Sequence, residues 1–159
     1  MKKKYKYYIA YGSNLNLNQM KMRCPDAEIF SKGYINGYEL LFKGSLTGAY
    51  LTIEKCKGKK VPIGIWKVSA SDELALDRYE GYPNFYYKAD LKFKIDKKEY
   101  SGFVYIMHEE REIGIPSDIY VDVCKEGYES FGFDEKYLEE AVKISKNSAN
   151  NAENWGLYF

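Results

Sequence analysis

The sequence predicts an α+β fold, a mixed, barrel-like β-sheet with helices packed to one side. Three observations lead there. Strand-like runs fill most of the first two thirds of the chain, and helix-like periodicity fills the last third. Strand and helix do not alternate in the way that builds a doubly wound parallel sheet. Glycines separate short β-prone runs through residues 28–68, the punctuation of hairpins and curled sheets.

The elements follow in order. Residues 7–11 read as a buried first strand, and Gly12-Ser13-Asn14 is a turn signal directly after it. Leu15, Leu17 and Met20 then line one side of a short helix, with Asn14 as its expected N-cap and Pro25-Asp26 as its end. A strand, tight turn and helix in that order aim backbone N–H groups above the strand end, a setting suited to a carboxylate. Four strands are expected next, over residues 28–34, 38–43, 50–53 and 62–68, broken by Gly33, Gly37, Gly44, Gly48 and Gly58. Ser69 or Ser71 caps a helix from Asp72 to about Tyr79; Ser69 and Asp72 have capping-box spacing, and Gly81 is the stop signal.

Residues 86–95 and 100–107 predict a hairpin around Asp96-Lys97-Lys98, because Leu91, Phe93 and Ile95 alternate with Asp90, Lys92 and Lys94. After Pro116-Ser117 the pattern turns helical through Ile119, Val123 and Tyr128. A break at Gly132-Phe133-Asp134 precedes a last helix from Glu135 to about Ser145, with Asp134 as N-cap and Leu138, Val142 and Ile144 on its core face. One domain is expected over residues 1–146. Residues 147–159 are expected to form an Asn-rich tail whose aromatic end docks on the domain or makes a contact.

Composition narrows the function classes. The 159 residues suit one domain that buries a core without disulfide or metal staples. A formal net charge of +1, with no basic stripe, argues against nucleic-acid binding. Cys24, Cys56 and Cys124 are odd in number and far apart, with no CxxC or zinc spacing, and His108 is the only histidine. These features predict no metal site and three reduced thiols, as in a cytoplasmic protein. No secretory signal or membrane-length apolar run is present, and GxGxxG, P-loop and GxSxG motifs are absent. The 17 tyrosines fit strand propensity or a stiff-walled polar pocket.

Two segments can carry chemistry. In Tyr11-Gly12-Ser13-Asn14, Gly12 permits close backbone approach, and a hydroxyl and an amide stand beside exposed N–H groups. Read alone, this tetrapeptide is also an ordinary turn with a helix cap. In Leu76-Asp77-Arg78-Tyr79-Glu80-Gly81, Glu80 sits where a helix ends among tyrosines, and aromatic walls raise a carboxylate pKa towards that of a working base. Read alone, Glu80 is also a solvated helix-end charge. Asp77 shares a helix face with Glu80; it trades a proton with it, pairs with a neighbour such as Arg78, or caps structure.

Together these segments resemble the γ-glutamylcyclotransferase-like family. The resemblance rests on Tyr11-Gly12-Ser13-Asn14-Leu15, on Leu76-Asp77-x-x-Glu80-Gly81 with Tyr87 beyond, and on Pro116-Ser117-x-x-Tyr120 continuing through Gly127 to Phe131-Gly132-Phe133. The third stretch is most similar to the γ-glutamylcyclotransferase branch. The resemblance implies a compact barrel-like sheet and a pocket in which Tyr11, Gly12, Ser13 and Asn14, with Leu15 closing the motif, hold the α-amino and α-carboxylate ends of a γ-glutamyl group. It implies Glu80 as the catalytic glutamate and Tyr87 as a pocket tyrosine, with Tyr86 the competing alignment, and it brings Tyr120 into the site without fixing its role.

The implied reaction converts a γ-glutamyl-amino acid into 5-oxoproline and a free amino acid, and it requires no cofactor. The implied partner is that small molecule, with no nucleic acid or membrane; a homodimer is implied by the resemblance alone. The aromatic segment Tyr82-Pro83-Asn84-Phe85-Tyr86 departs from a plain family pattern and leaves the leaving amine open, so a γ-glutamylamine substrate stays in view. A ligand-binding module without turnover, and an interaction protein using the aromatic tail, are the competing classes.

Overall fold

The structure, a computed structural model, describes residues 4–44 and 48–154. Among them the sheet has six strands: β1 (Lys6–Ala10), β2 (Glu28–Gly44), β3 (Tyr50–Val68), β4 (Tyr86–Ile95), β5 (Lys98–Met107) and β6 (Glu112–Ile113). Their order is β4-β5-β1-β3-β2-β6. β1 runs parallel to β5 and antiparallel to β3, and every other pair is antiparallel. The sheet is therefore mixed, as the sequence predicts, and it curls into a half-barrel. Four helices accompany it: α1 (Leu17–Arg23), α2 (Ala70–Glu80), α3 (Asp118–Phe131) and α4 (Lys136–Asn154). No described helix is long and apolar enough to cross a membrane.

β1 is central, and Tyr8, Ile9 and Ala10 are all buried. Continuous burial of this kind belongs to a strand covered on both faces. The same holds for Gly102–Met107 of β5 and Val61–Trp66 of β3. Ile9, Phe42, Ile53, Ile63, Ile65, Met107, Tyr128 and Leu138 form the fully buried centre. On α3 the buried positions Cys124, Gly127, Tyr128 and Phe131 follow the spacing of one helix face.

Several local expectations are corrected. Asn14 does not cap α1. Residues Ser13–Leu15 instead form a 3-10 turn, and Asn16 caps α1 by accepting a hydrogen bond from Gln19 N at 3.1 Å. Two asparagines one residue apart both satisfy the cap rule, and Asn14 is recruited elsewhere. The four short strands expected over residues 28–68 are two long ones, β2 and β3. Their ladder shifts from Asn36↔Lys60 to Tyr38↔Lys55, with Gly37 at φ 80° and Gly58 at φ 87°. Those glycines absorb an irregularity in a continuing hairpin instead of ending its strands. The β4–β5 turn needs only Asp96 and Lys97, at φ 50° and 71°, so Lys98 already pairs with Ile95.

The cap of α2 is settled between the two serines. Ser69 accepts from Asp72 N at 3.2 Å, and the Asp72 carboxylate accepts from Ser69 N at 3.2 Å, a complete capping box. At the other end Gly81 takes the left-handed conformation, φ 63°. α2 is thus fixed at both termini, and its last residue, Glu80, has a defined place. α4 continues through Asn154, so part of the expected tail is helix; the aromatic residues 155–159 lie outside the described residues.

Candidate active site

A cavity of about 340 Å³ opens where the C-terminal end of β1, the 3-10 turn and the end of α2 converge. Tyr8, Tyr11, Gly12, Ser13 and Asn14 line it from the first motif, and Arg78, Tyr79, Glu80 and Gly81 from the second. Tyr50, Leu51, Phe85, Tyr86 and Tyr120 complete the wall. The two segments that are ambiguous when read singly therefore face each other across one space, of a size that suits a small molecule.

Asn14 joins them. Its side-chain amide donates to Tyr8 Oη at 2.9 Å and to Glu80 Oε1 at 3.3 Å. Its carbonyl oxygen Oδ1 accepts from Arg23 Nη1, and its backbone oxygen accepts from the Trp66 indole at 3.0 Å. Asn14 is 2 % exposed, so each of these polar atoms is buried with a partner. A second link runs between Ser13 Oγ and Tyr79 Oη, 3.0 Å apart. Ser13 and Asn14 head a 3-10 turn, so their amides have no partner inside it and are directed out of its N-terminal end.

Glu80 is partly buried in this wall. Desolvation pushes its carboxyl pKa up to about 7, and the nearby Arg23 guanidinium offsets only part of that rise. Arg23 is occupied on Asn14 and on Gln19 Oε1 at 2.9 Å, and its Cζ lies 3.4 Å from the centre of the Tyr79 ring. Burial, first of all, also raises the phenols of Tyr8, Tyr11, Tyr86 and Tyr120 well above their ordinary range, so they stay neutral.

The raised Glu80 pKa has a consequence for stability. The folded state holds the Glu80 proton more tightly than the unfolded chain does, so folding is penalised once the pH exceeds the unfolded carboxyl value and fully so above about 7. Water reaches this carboxylate through the open cavity, which limits the penalty to roughly 1–3 kcal/mol. Glu80→Gln should accordingly be more stable than wild type in urea at pH 8, and the gain should vanish near pH 4.

Not every residue singled out in the sequence lies here. Leu15 is fully buried below the cavity, against Gly64, Gly127 and Phe131. It anchors the turn and does not line the space. Tyr87 points away, with its hydroxyl donating to the Glu109 carboxylate, and Tyr86 takes the cavity position. Alternation along β4 allows only one of these neighbours to face inward. Tyr86 Oη donates to Leu51 O at 2.8 Å, while Leu51 N donates to Tyr120 Oη at 3.1 Å. Tyr86 and Tyr120 thus pin both backbone groups of Leu51 at the cavity wall. Gly12 faces them: a Cβ there would lie 3.3 Å from Leu51 Cβ and 3.5 Å from Tyr120 Oη, on the cavity side.

Asp77 is outside the wall. It accepts from Tyr105 Oη at 2.6 Å and pairs with Lys88 Nζ at 3.0 Å, not with Arg78. Tyr8, Arg23, Tyr50 and Leu51 carry no motif that marks them, whereas Tyr79, beside Glu80, and Phe85, in the aromatic segment after it, stand in segments that the sequence singles out.

Comparison with known proteins places this geometry. The family model described as "Gamma-glutamyl cyclotransferase, AIG2-like" matches residues 8–122, a span that contains both cavity motifs. Human gamma-glutamylcyclotransferase is 30 % identical over 149 residues, covering 88 % of this chain and 79 % of the human one. The mouse gamma-glutamylcyclotransferase is 27 % identical over 150 residues, with the same coverage of 88 % and 79 %. A solved gamma-glutamyl cyclotransferase structure superposes with a TM-score of 0.77 at 26 % identity, covering 87 % of this chain and 86 % of that one. With its cavity motifs inside the matched span and its half-barrel superposing on that structure, the chain belongs to the gamma-glutamyl cyclotransferase, AIG2-like family.

Proposed function

We propose that this protein cyclises the γ-glutamyl group of a γ-glutamyl-amino acid, releasing 5-oxoproline and the free amino acid, with Glu80 as general base and then general acid. The observation that carries this reading is the Glu80 carboxylate. It lines a small-molecule cavity, is raised to about pKa 7, and is held by Asn14 of the opposing motif.

The chemistry follows from what a γ-glutamyl group needs. Its α-ammonium has no lone pair, so a base must remove a proton before the nitrogen can attack. A carboxylate titrating near neutral pH is both charged enough to accept that proton and acidic enough to return it. The nitrogen then bonds to the γ-carbonyl carbon and closes a five-membered lactam. The γ-amide C–N bond breaks as the departing nitrogen takes the proton that Glu80 holds; the ring nitrogen then gives its remaining surplus proton to Glu80, which passes it on, so that the amine leaves as an ammonium ion. Because attacker and target belong to one molecule, holding the chain folded supplies much of the rate. Outward amides of Ser13 and Asn14 suit the glutamyl carboxylate or the oxyanion that develops on the γ-carbonyl oxygen.

Incubation of purified protein with γ-glutamyl-alanine, followed by mass spectrometry, should give equal amounts of 5-oxoproline and alanine over many turnovers. Saturable binding of γ-glutamyl-alanine with no product would refute the reading in favour of a binding module.

A further inference from the structure

The cyclisation accounts for the glutamyl half of the substrate; the cavity also holds a charged group that this chemistry does not use. Arg78 is the one cation that lines the cavity among the described residues. Its guanidinium has no hydrogen bond or ion pair with any described residue. The two other arginines nearby are engaged elsewhere. Arg23 holds Asn14 and Gln19 under the Tyr79 ring, and Arg111 lies 4.1 Å from the centre of the Phe85 ring without lining the cavity.

The position of Arg78 follows from helix geometry. On α2, Tyr79 reaches Ser13 and Glu80 reaches Asn14, so both are turned towards the first motif. Arg78 stands in the last turn of α2, just before Gly81 ends the helix in the left-handed conformation. The chain turns back at that side: Tyr82 N donates to Asp77 O at 2.9 Å, and Phe85 N donates to Gly81 O at 2.8 Å. A Cβ on Gly81 would lie 3.2 Å from Phe85 Cβ, which brings the aromatic wall directly over the helix end. Ser13 and Asn14 thus line the cavity from the first motif, and Arg78 lines it from the last turn of α2, where Gly81 and Phe85 also border it.

Resting on the reading of this site as a cyclotransferase, we infer that Arg78 selects the leaving group, pairing with a carboxylate on the departing amine. A γ-glutamyl-amino acid carries two carboxylates, one on the glutamyl end and one on the leaving amino acid. The amides of the first motif suit the former, and the unpaired guanidinium of Arg78 suits the latter, in the planar two-point geometry that arginine offers a carboxylate. A γ-glutamylamine has no such group, and an amine with a second cationic centre meets like charge. Arg78 is a specificity residue: it touches the half of the substrate that departs and takes no part in proton transfer.

The test compares kcat/KM for γ-glutamyl-alanine and γ-glutamyl-ethylamine, which differ only by the leaving-group carboxylate. Wild type should favour the alanine substrate by about 10- to 100-fold, the range of one charge-assisted pair. Arg78→Gln should bring the ratio close to unity, Arg78→Glu should invert it, and Arg78→Lys should keep part of it. Arg78 is exposed on the last turn of α2, so these variants fold. An Arg78→Gln ratio equal to that of wild type overturns the inference and leaves the cyclotransferase reading standing. Absence of 5-oxoproline from both substrates with wild-type protein overturns both.

Discussion

Replacing Glu80 by Gln should lower kcat for 5-oxoproline release by about 10²- to 10⁴-fold, the range that a positioned general base contributes. The amide has nearly the shape of the acid and keeps an oxygen to accept from Asn14 Nδ2, which reaches Glu80 Oε1 at 3.3 Å in the wild type. It has no basic oxygen for the proton of the α-ammonium. KM should move far less than kcat, because the lost interaction belongs to the transition state. The same variant is the one expected to gain stability at pH 8, so loss of activity together with a raised urea midpoint separates a missing base from a damaged fold. Asp77→Asn is the contrast. Asp77 serves Tyr105 and Lys88 outside the cavity, so its loss should act on stability and leave the proton transfer in place.

Gly127→Ala should have the second largest effect, although residue 127 touches no part of the cavity. A Cβ at that position would lie 2.7 Å from the Leu15 carbonyl carbon and 2.8 Å from Asn16 N. Both are backbone atoms of the segment that carries Ser13 and Asn14, so no side chain can swing aside to admit the methyl. The overpacking should cost about 1–3 kcal/mol in urea unfolding. Pushing the 3-10 turn off α3 also shifts Asn14 relative to Glu80. A displacement of about 1 Å is enough to cost on the order of 10²-fold in rate. Gly33→Ala is the control, since a Cβ there meets nothing within 4 Å. It should leave both the unfolding midpoint and kcat/KM near wild type.

This dependence on Gly127 explains why part of the site was legible in the sequence and part was not. Local rules located the turn at Gly12-Ser13-Asn14, the capping box at Ser69 and the stop at Gly81, because each is decided by residues within one helical turn. They misassigned Asn14 as a cap, because the choice between Asn14 and Asn16 is made by Trp66, Tyr8 and Arg23, which come from three other elements. They broke β2 and β3 at glycines, because only a paired strand reveals that Gly37 and Gly58 sit within a continuing ladder. Which of Tyr86 and Tyr87 faces the cavity depends on the register of β4 against β5, again a long-range property. Leu15 belongs to the motif and yet is an anchor: a tetrapeptide can be held still only if its neighbour is buried, here in the notch left by Gly64 and Gly127. The Lys88 partner of Asp77 lies across the turn in β4, where helix spacing pointed only to neighbours such as Arg78.

The most direct test of Glu80 as the base is the pH dependence of kcat/KM for γ-glutamyl-alanine, which reports the groups titrating in the free enzyme and free substrate. With the Glu80 carboxyl at about 7, log kcat/KM should rise with unit slope below that pH and level off above it, and Glu80→Gln should lose that limb along with the activity. A wild-type profile that stays flat from pH 5 to 8, or a Glu80→Gln variant that keeps the rising limb at wild-type rates, would contradict the assignment.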